Sequence, residues 1–209
     1  LLDEKQIDEK INTAHNAYLE WKDTPKSEKK ALFLKLADVI EEDIEENAKI
    51  QTMEMWMLYK DSLGWLKATI SLIRWFANNF EEILKEKEFT NNEWIKWKVL
   101  YDPIWVIFGI APWNFPYNQL LRAAVPNMLA WNTQIYKHSS NVPMCALKIQ
   151  EFFDKAWFKE WIYTNMFVSS SKSEHIISNK HIAWVNLTWS EWAWSSVWAL
   201  AGKYLKPSL

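Results

Sequence analysis

Residues 103–118 read Pro-Ile-Trp-Val-Ile-Phe-Gly-Ile-Ala-Pro-Trp-Asn-Phe-Pro-Tyr-Asn. An apolar, β-prone run, expected to span Val99–Ile110 as a strand or hairpin arm, stops at Ala111-Pro112. Helical texture follows over Asn118–Leu129. The alternation then repeats. Thr133–Tyr136, Ile162–Val168 and Ile182–Leu187 read as strands, and Pro143–Lys155, Ser170–Asn179 and Ser190–Tyr204 as helices. Strand and helix alternating at this spacing predict βαβ units and a mostly parallel, Rossmann-like sheet, hence an α/β fold.

Upstream the texture is helical. Ile7, Ile11, Ala14 and Tyr18 form an i, i+4, i+7, i+11 stripe over residues 3–20. Thr24-Pro25 predicts an N-cap with proline at the first helical position. Leu32, Leu34, Leu36, Val39, Ile40 and Ile44 then predict one long amphipathic helix to about residue 55. A third helix is expected from Ser62 to Glu86, and the acidic run Glu41–Glu46 reads as a solvated helix face. One unit over 1–209 results. It has a helical segment (1–90), then a hairpin region with βαβ units (91–209).

The 24 basic and 26 acidic side chains nearly cancel, which gives no electrostatic case for nucleic acid or an anionic membrane as partner. Cys145 is the single cysteine, so no internal disulfide or cysteine-based zinc site can form, and no metal is expected. No apolar run reaches membrane-spanning length. The chain opens on charged residues with no signal sequence in view, so a cytoplasmic protein is expected. It opens without Met and closes on Lys-Pro-Ser-Leu, the expectation for a fragment.

Sixteen Trp stand against three Gly, where about 15 glycines are expected at the usual ~7 %. Trp131 and Trp157 follow predicted helices, where a chain commonly turns through a left-handed glycine. Trp189 follows the strand that ends at Thr188, and Trp192, Trp194 and Trp198 crowd one helical start. Turn positions disfavour a large β-substituted side chain. The expectation is that UGA codons for glycine are written here as Trp, with Trp113, Trp21 and Trp75 genuine. A Trp-rich ligand-binding surface on a non-catalytic module is the alternative, and would place indoles on one exposed face.

With glycine at 105, the opening stretch becomes Pro-Ile-Gly-Val-Ile-Phe-Gly-Ile-Ala-Pro-Trp-Asn-Phe-Pro. Pro112-Trp113-Asn114-Phe115-Pro116, the flanking Pro103-Ile104 and Val106, Lys137, and Thr188-Trp189-Ser190 lie in the order of the aldehyde dehydrogenase superfamily, which the chain resembles over its whole length, Trp21 included. The resemblance implies a cysteine thiolate that attacks an aldehyde, an oxyanion that must be stabilised, and hydride transfer to a nicotinamide, with a thioester released as the acid. It assigns Asn114 as the amide donor to the oxyanion, against the plain reading of an Asn that caps the next helix. It puts Trp113 and Pro112 at the nicotinamide end, and Lys137, His138, Ser139 and Ser140 at the adenosine ribose, with no proton-transfer role for His138. NAD-preferring relatives often carry Glu at the position of Ser140. A serine beside Lys137 can accept a 2′-phosphate, so NADP is expected, with NAD as the alternative. Trp189 and Ser190 match the turn and helix start that hold the pyrophosphate, where glycine would let the backbone approach.

The family's catalytic cysteine and base glutamate are expected beyond Leu209. Cys145 reads as a packed helical residue, so the catalytic domain is missing and the segment is expected to be inactive. The segments Tyr101-Asp102-Pro103-Ile104 and 137–143 look most like succinate-semialdehyde dehydrogenases. A full-length parent is expected to be a homo-oligomer acting on a small aldehyde. Chemistry ending on coenzyme A is the catalytic alternative.

Overall fold

Four strands pair in parallel in the order β5-β4-β3-β6: β3 (Val106–Ala111), β4 (Thr133–His138), β5 (Tyr163–Asn165) and β6 (Ile182–Leu187). The computed structural model describes residues 1–91 and 95–209. Trp94, among the residues expected to be glycine, lies outside them. Among the described residues no helix is long and apolar enough to cross a membrane.

Parallel strands need crossovers, and helices supply them. They are α5 (Pro116–Leu129), α6 (Pro143–Lys155) and α7 (Ser173–Ser178), the last preceded by a 3-10 turn at Ser170–Lys172. Alternating burial splits β3 and β4 between two cores. Val106, Phe108, Ile110 and Ile135 pack with Ile7, Ile11, Ile176 and Val197, under α1 (Glu4–Trp21), α7 and α8 (Glu191–Lys203). Ala111, Tyr136 and Tyr163 face the opposite core with α5 and α6. The helices α2 (Lys26–Glu42), α3 (Ile44–Met55) and α4 (Tyr59–Ile83) complete that layer. Gly109 stands opposite Tyr136 in the register, and a Cβ there would overlap the tyrosine ring.

The helical start of the chain is as the stripe predicts. Asp3 caps α1 reciprocally with Gln6, its Oδ1 accepting the Gln6 N–H at 2.8 Å. Several boundaries differ from expectation. Helix α2 starts at Lys26 after Pro25, with no side-chain cap, so Thr24 is not its N-cap. The expected single helix to residue 55 breaks at Asp43, which leaves helical geometry (φ −109°, ψ 25°). The third helix starts at Tyr59 and ends at Ile83. The expected strand Val99–Ile110 is two strands in different sheets. Ile95–Val99 (β2) pairs antiparallel with Lys87–Asn91 (β1), while β3 begins only at Val106. Pro103 between them has no N–H to give a ladder. β5 and α7 are also shorter than expected.

Six described residues other than glycine have positive φ: Trp56 (60°), Trp105 (86°), Trp131 (64°), Trp157 (64°), Trp161 (72°) and Leu205 (55°). Five of the six are Trp, and no glycine is among the positive-φ residues. Helices α5 and α6 close identically. The N–H groups of Trp131 and Asn132 reach the carbonyls of Met128 and Asn127, and those of Trp157 and Phe158 reach Asp154 and Phe153. This is the double bond of a Schellman closure, whose turning residue is usually glycine. Helix α8 closes the same way through Leu205.

Candidate functional site

The carboxyl ends of β3, β4 and β6 project three loops to one edge of the sheet, where parallel α/β folds bind ligands. The β3 loop carries Pro112-Trp113-Asn114-Phe115. Phe115, at φ −147°, occupies the N-cap position of α5, and no side chain caps that helix. Asn114 is therefore not a capping residue. Its Oδ1 is buried with no hydrogen-bond partner among the described residues. The side chain lines a cavity of about 240 Å³ with Pro112, Trp113, Gln119, Thr188, Trp189 and Ser190. The Thr188 N–H donates to Ile110 O at 3.1 Å, which ties the β6 loop to β3. Ser190 then stands at the N-cap position of α8, so the positive end of a 13-residue helix opens beside the cavity.

A second cavity, of about 490 Å³, lies between the end of β4, the 3-10 turn and α8. Lys137, Ser139 and Ser140 line it, with Ser170, Ser171, Ser173, Trp189 and Trp192. Burial lowers the Lys137 ammonium pKa, and its Nζ donates to His138 O at 3.3 Å. Ser139 Oγ is bonded to Asn141 Oδ1. Ser140 is exposed. Among the described residues no carboxylate lines either cavity. Lys137 and the serines suit an anionic, ribose-bearing group, and the α8 N-terminus suits a phosphate.

His138 does not join them. Strand alternation turns its ring to the opposite face, where Nε2 lies 3.3 Å from the Tyr163 hydroxyl. Burial, helped by Lys137, holds its pKa down to about 3, so it is neutral. The ring is therefore not among the groups lining the lysine–serine cavity, where it was expected beside the ribose. Sequence reading also missed Gln119 and the serines of the 3-10 turn. The run Ser169-Ser170-Ser171 was visible in the sequence, whereas nothing there distinguished Gln119 from its helical neighbours.

Trp189 lines both cavities. Among the described residues it is the one residue that the two cavities share. Cys145 lies elsewhere, fully buried in the first turn of α6. Burial pushes its thiol well above the ordinary range, and the Glu54 carboxylate, which accepts the Met144 and Cys145 N–H groups, adds to the effect.

All 209 residues match the model of the Aldehyde dehydrogenase family. The chain is 33 % identical over 205 residues to a protein of Deinococcus radiodurans named succinate-semialdehyde dehydrogenase [NADP(+)], covering 98 % of this chain and 43 % of that one. A Synechocystis protein, named as a probable enzyme of the same kind, is 28 % identical, with 98 % and 45 % covered. Among solved structures, one described as concerning cofactor and substrate selection by Gox0499 superposes with a TM-score of 0.97 at 32 % identity, over 100 % of this chain and 46 % of that one. Succinic semialdehyde dehydrogenase from Streptococcus pyogenes, solved with NADP+, gives 0.94 at 27 % identity, over 98 % and 45 %. The chain spans less than half the length of these relatives.

Proposed function

Because the chain belongs to the aldehyde dehydrogenase family, we propose that it is the cofactor-binding part of an NADP- or NAD-dependent enzyme that oxidises a small aldehyde, with succinate semialdehyde the preferred candidate. The observation that carries this reading is Asn114. Its amide is free of helix capping, lies in the loop after β3, and lines a cavity that shares Trp189 with the cavity lined by Lys137 and Ser140.

The bound nicotinamide would supply the hydride acceptor. Asn114 would donate from Nδ2 to the substrate oxygen as negative charge builds there. Such a donor is worth most in the transition state, and its loss costs about 100- to 1,000-fold in kcat. Lys137 would hold the adenosine side as a point charge. Ser140 adds no negative charge to repel a 2′-phosphate, which supports NADP over NAD. The Cys145 thiol is buried and held protonated, so the attacking thiolate belongs to a different cysteine. Cys145 being the single cysteine here, these 209 residues alone would not turn over. The reading also makes the parent enzyme cytoplasmic and homo-oligomeric, with Phe89 and Ile95 of the exposed β1–β2 hairpin as apolar surface for assembly.

The fit to a dinucleotide holds only if residue 189 is glycine, which would join the two cavities into one groove. We therefore propose that the gene reads UGA as glycine, most securely at 56, 105, 131, 157, 161 and 189. The first five take a left-handed backbone that costs an L-residue about 1–2 kcal/mol.

The test is kinetic, on the enzyme expressed from the complete gene with glycine at those positions. NADP should bind more tightly than NAD, and Asn114→Ala should lower kcat about 100-fold or more. Turnover within a few-fold of the parent would refute the oxyanion assignment.

A further inference from the structure

Two helices that start at the carboxyl edge of the sheet begin differently. Helix α8 has Ser190 at its N-cap position, and its first turn opens beside the Asn114 cavity. Helix α6 has Val142 at that position, which offers no side-chain acceptor, followed by Pro143, which has no N–H. The Ala146 N–H makes the first helical bond, to Val142 O at 3.1 Å. The N–H groups of Met144 and Cys145 remain, and Glu54 of α3 takes both. Its Oε1 and Oε2 accept them at 2.7 and 2.8 Å. A carboxylate in the last turn of α3 opposes the dipole of its own helix, and gains at the positive end of α6. Further along, Lys148 pairs with Glu46 and Lys155 with Asp43, each at 3.1 Å, and these pairs join the same two segments.

Glu54 thereby holds the far end of the loop that follows Lys137. Only Ser139, Ser140 and Asn141 separate β4 from Val142. The Val142 N–H donates to Ser139 O at 3.3 Å, which closes these residues into a tight turn. Ser139 and Ser140 line the lysine–serine cavity, whereas Asn141 lines a cavity of about 430 Å³ with Glu54 and Trp113. The strand fixes one end of the turn and Glu54 fixes the other. We propose that Glu54 is a positioning residue for the cofactor: through the first turn of α6 it sets where Ser140 stands beside Lys137, and so how the adenosine ribose and a 2′-phosphate are held. The inference rests on the reading of that cavity as the ribose end of the cofactor site. Without the carboxylate, α6 keeps its buried face of Ala146, Ile149 and Phe153. The helix then stays, and only its first turn and the turn before it are released.

The experiment uses the enzyme from the complete gene, with glycine at the positions named above. Adenosine 2′,5′-bisphosphate carries the ribose and the 2′-phosphate without the nicotinamide, so calorimetric titration with it reads this corner apart from turnover. Glu54→Ala should weaken its binding about tenfold, the worth of one charge-assisted hydrogen bond. It should raise KM for NADP to match, with kcat at saturating NADP within twofold. Glu54→Gln keeps one neutral acceptor for two donors and should show a smaller loss of the same kind. It stands in for the alanine variant if that one does not fold. Lys155→Met loosens the same two segments away from the turn, and should leave both constants within twofold. Unchanged affinity in both Glu54 variants would overturn the inference. An equal loss in Lys155→Met would do so too, since the effect would then be general loosening. Lys137→Ala tests the underlying reading. If it weakens the bisphosphate while the Glu54 variants do not, only this inference fails. If it has no effect, the reading of the cavity fails and takes the inference with it.

Discussion

Indoles in the N-terminal helical layer and indoles at the turns and strand ends meet opposite physical demands. Trp21 closes α1 with an ordinary right-handed backbone. It is 2 % exposed, and its Nε1 donates to Met128 O at 3.0 Å. Trp131 follows α5 with φ 64°, and its Nε1 reaches Thr24 O at 3.3 Å. Both rings contact the same buried lysine, whose Nζ lies 3.8 Å from the Trp21 centroid and 4.9 Å from that of Trp131. Two indoles around one ammonium look equivalent as contacts. The backbone separates them. One position needs the ring for packing and a hydrogen bond, and the other needs a residue without a Cβ. Trp189 joins the second class under the proposed function, since it borders both cavities that a dinucleotide would have to occupy.

The largest effect that could break this comparison is at Trp21. Trp21→Ala should destabilise the fold by about 3–5 kcal/mol in urea unfolding, because it empties a core site and orphans the Met128 carbonyl. A loss under about 1 kcal/mol would place Trp21 with the turn residues. Next comes Trp189→Gly. Calorimetric titration should then show NADP binding at least tenfold tighter than to the chain with Trp, and equal affinities would mean that the indole does not obstruct the groove. Trp131→Gly should move stability the other way from Trp21→Ala, raising it by about 1–2 kcal/mol through release of left-handed strain, less whatever its packing gives. Net destabilisation would show that the ring is native.

The smallest effect concerns the shared lysine. Burial holds the Lys29 ammonium down to about 6, from an ordinary value of 10.5. Between those values the unfolded chain binds more protons than the folded one. Stability therefore rises with pH across that window. Lys29→Met should flatten the rise, and Trp131→Gly should weaken it by admitting water to the amine. A slope unchanged by Lys29→Met would assign the dependence to other groups.

The parts legible in the sequence were those where one period dominates. The stripe Ile7, Ile11, Ala14 and Tyr18 is the buried face of α1, and α6 and β6 fall where their apolar spacing puts them. The break at Asp43 was hidden because Ile40 and Ile44 continue the stripe across it, so spacing alone reads one helix. The hairpin strand and the central parallel strand merged in the reading because only Asp102 and Pro103 interrupt the apolar residues between Val99 and Ile110. At the site, the identity of Asn114 and Lys137 was legible from the motif, but the direction of His138 was not. Which face a strand residue takes depends on register, and one residue's shift reverses it. Gln119 became visible only as part of the cavity lining. Trp131 and Trp157 stood out because each follows a clear helix, while Trp161 lies in a loop with no period to mark it.

The central claim is that glycine belongs where the backbone turns left-handed and where the two cavities meet, and the gene itself tests it most directly. The nucleotide sequence is predicted to carry UGA at codons 56, 105, 131, 157, 161 and 189, and UGG at codons 21 and 113. UGG at the left-handed positions and at 189 would contradict the account, for the indoles would then be native and the groove closed.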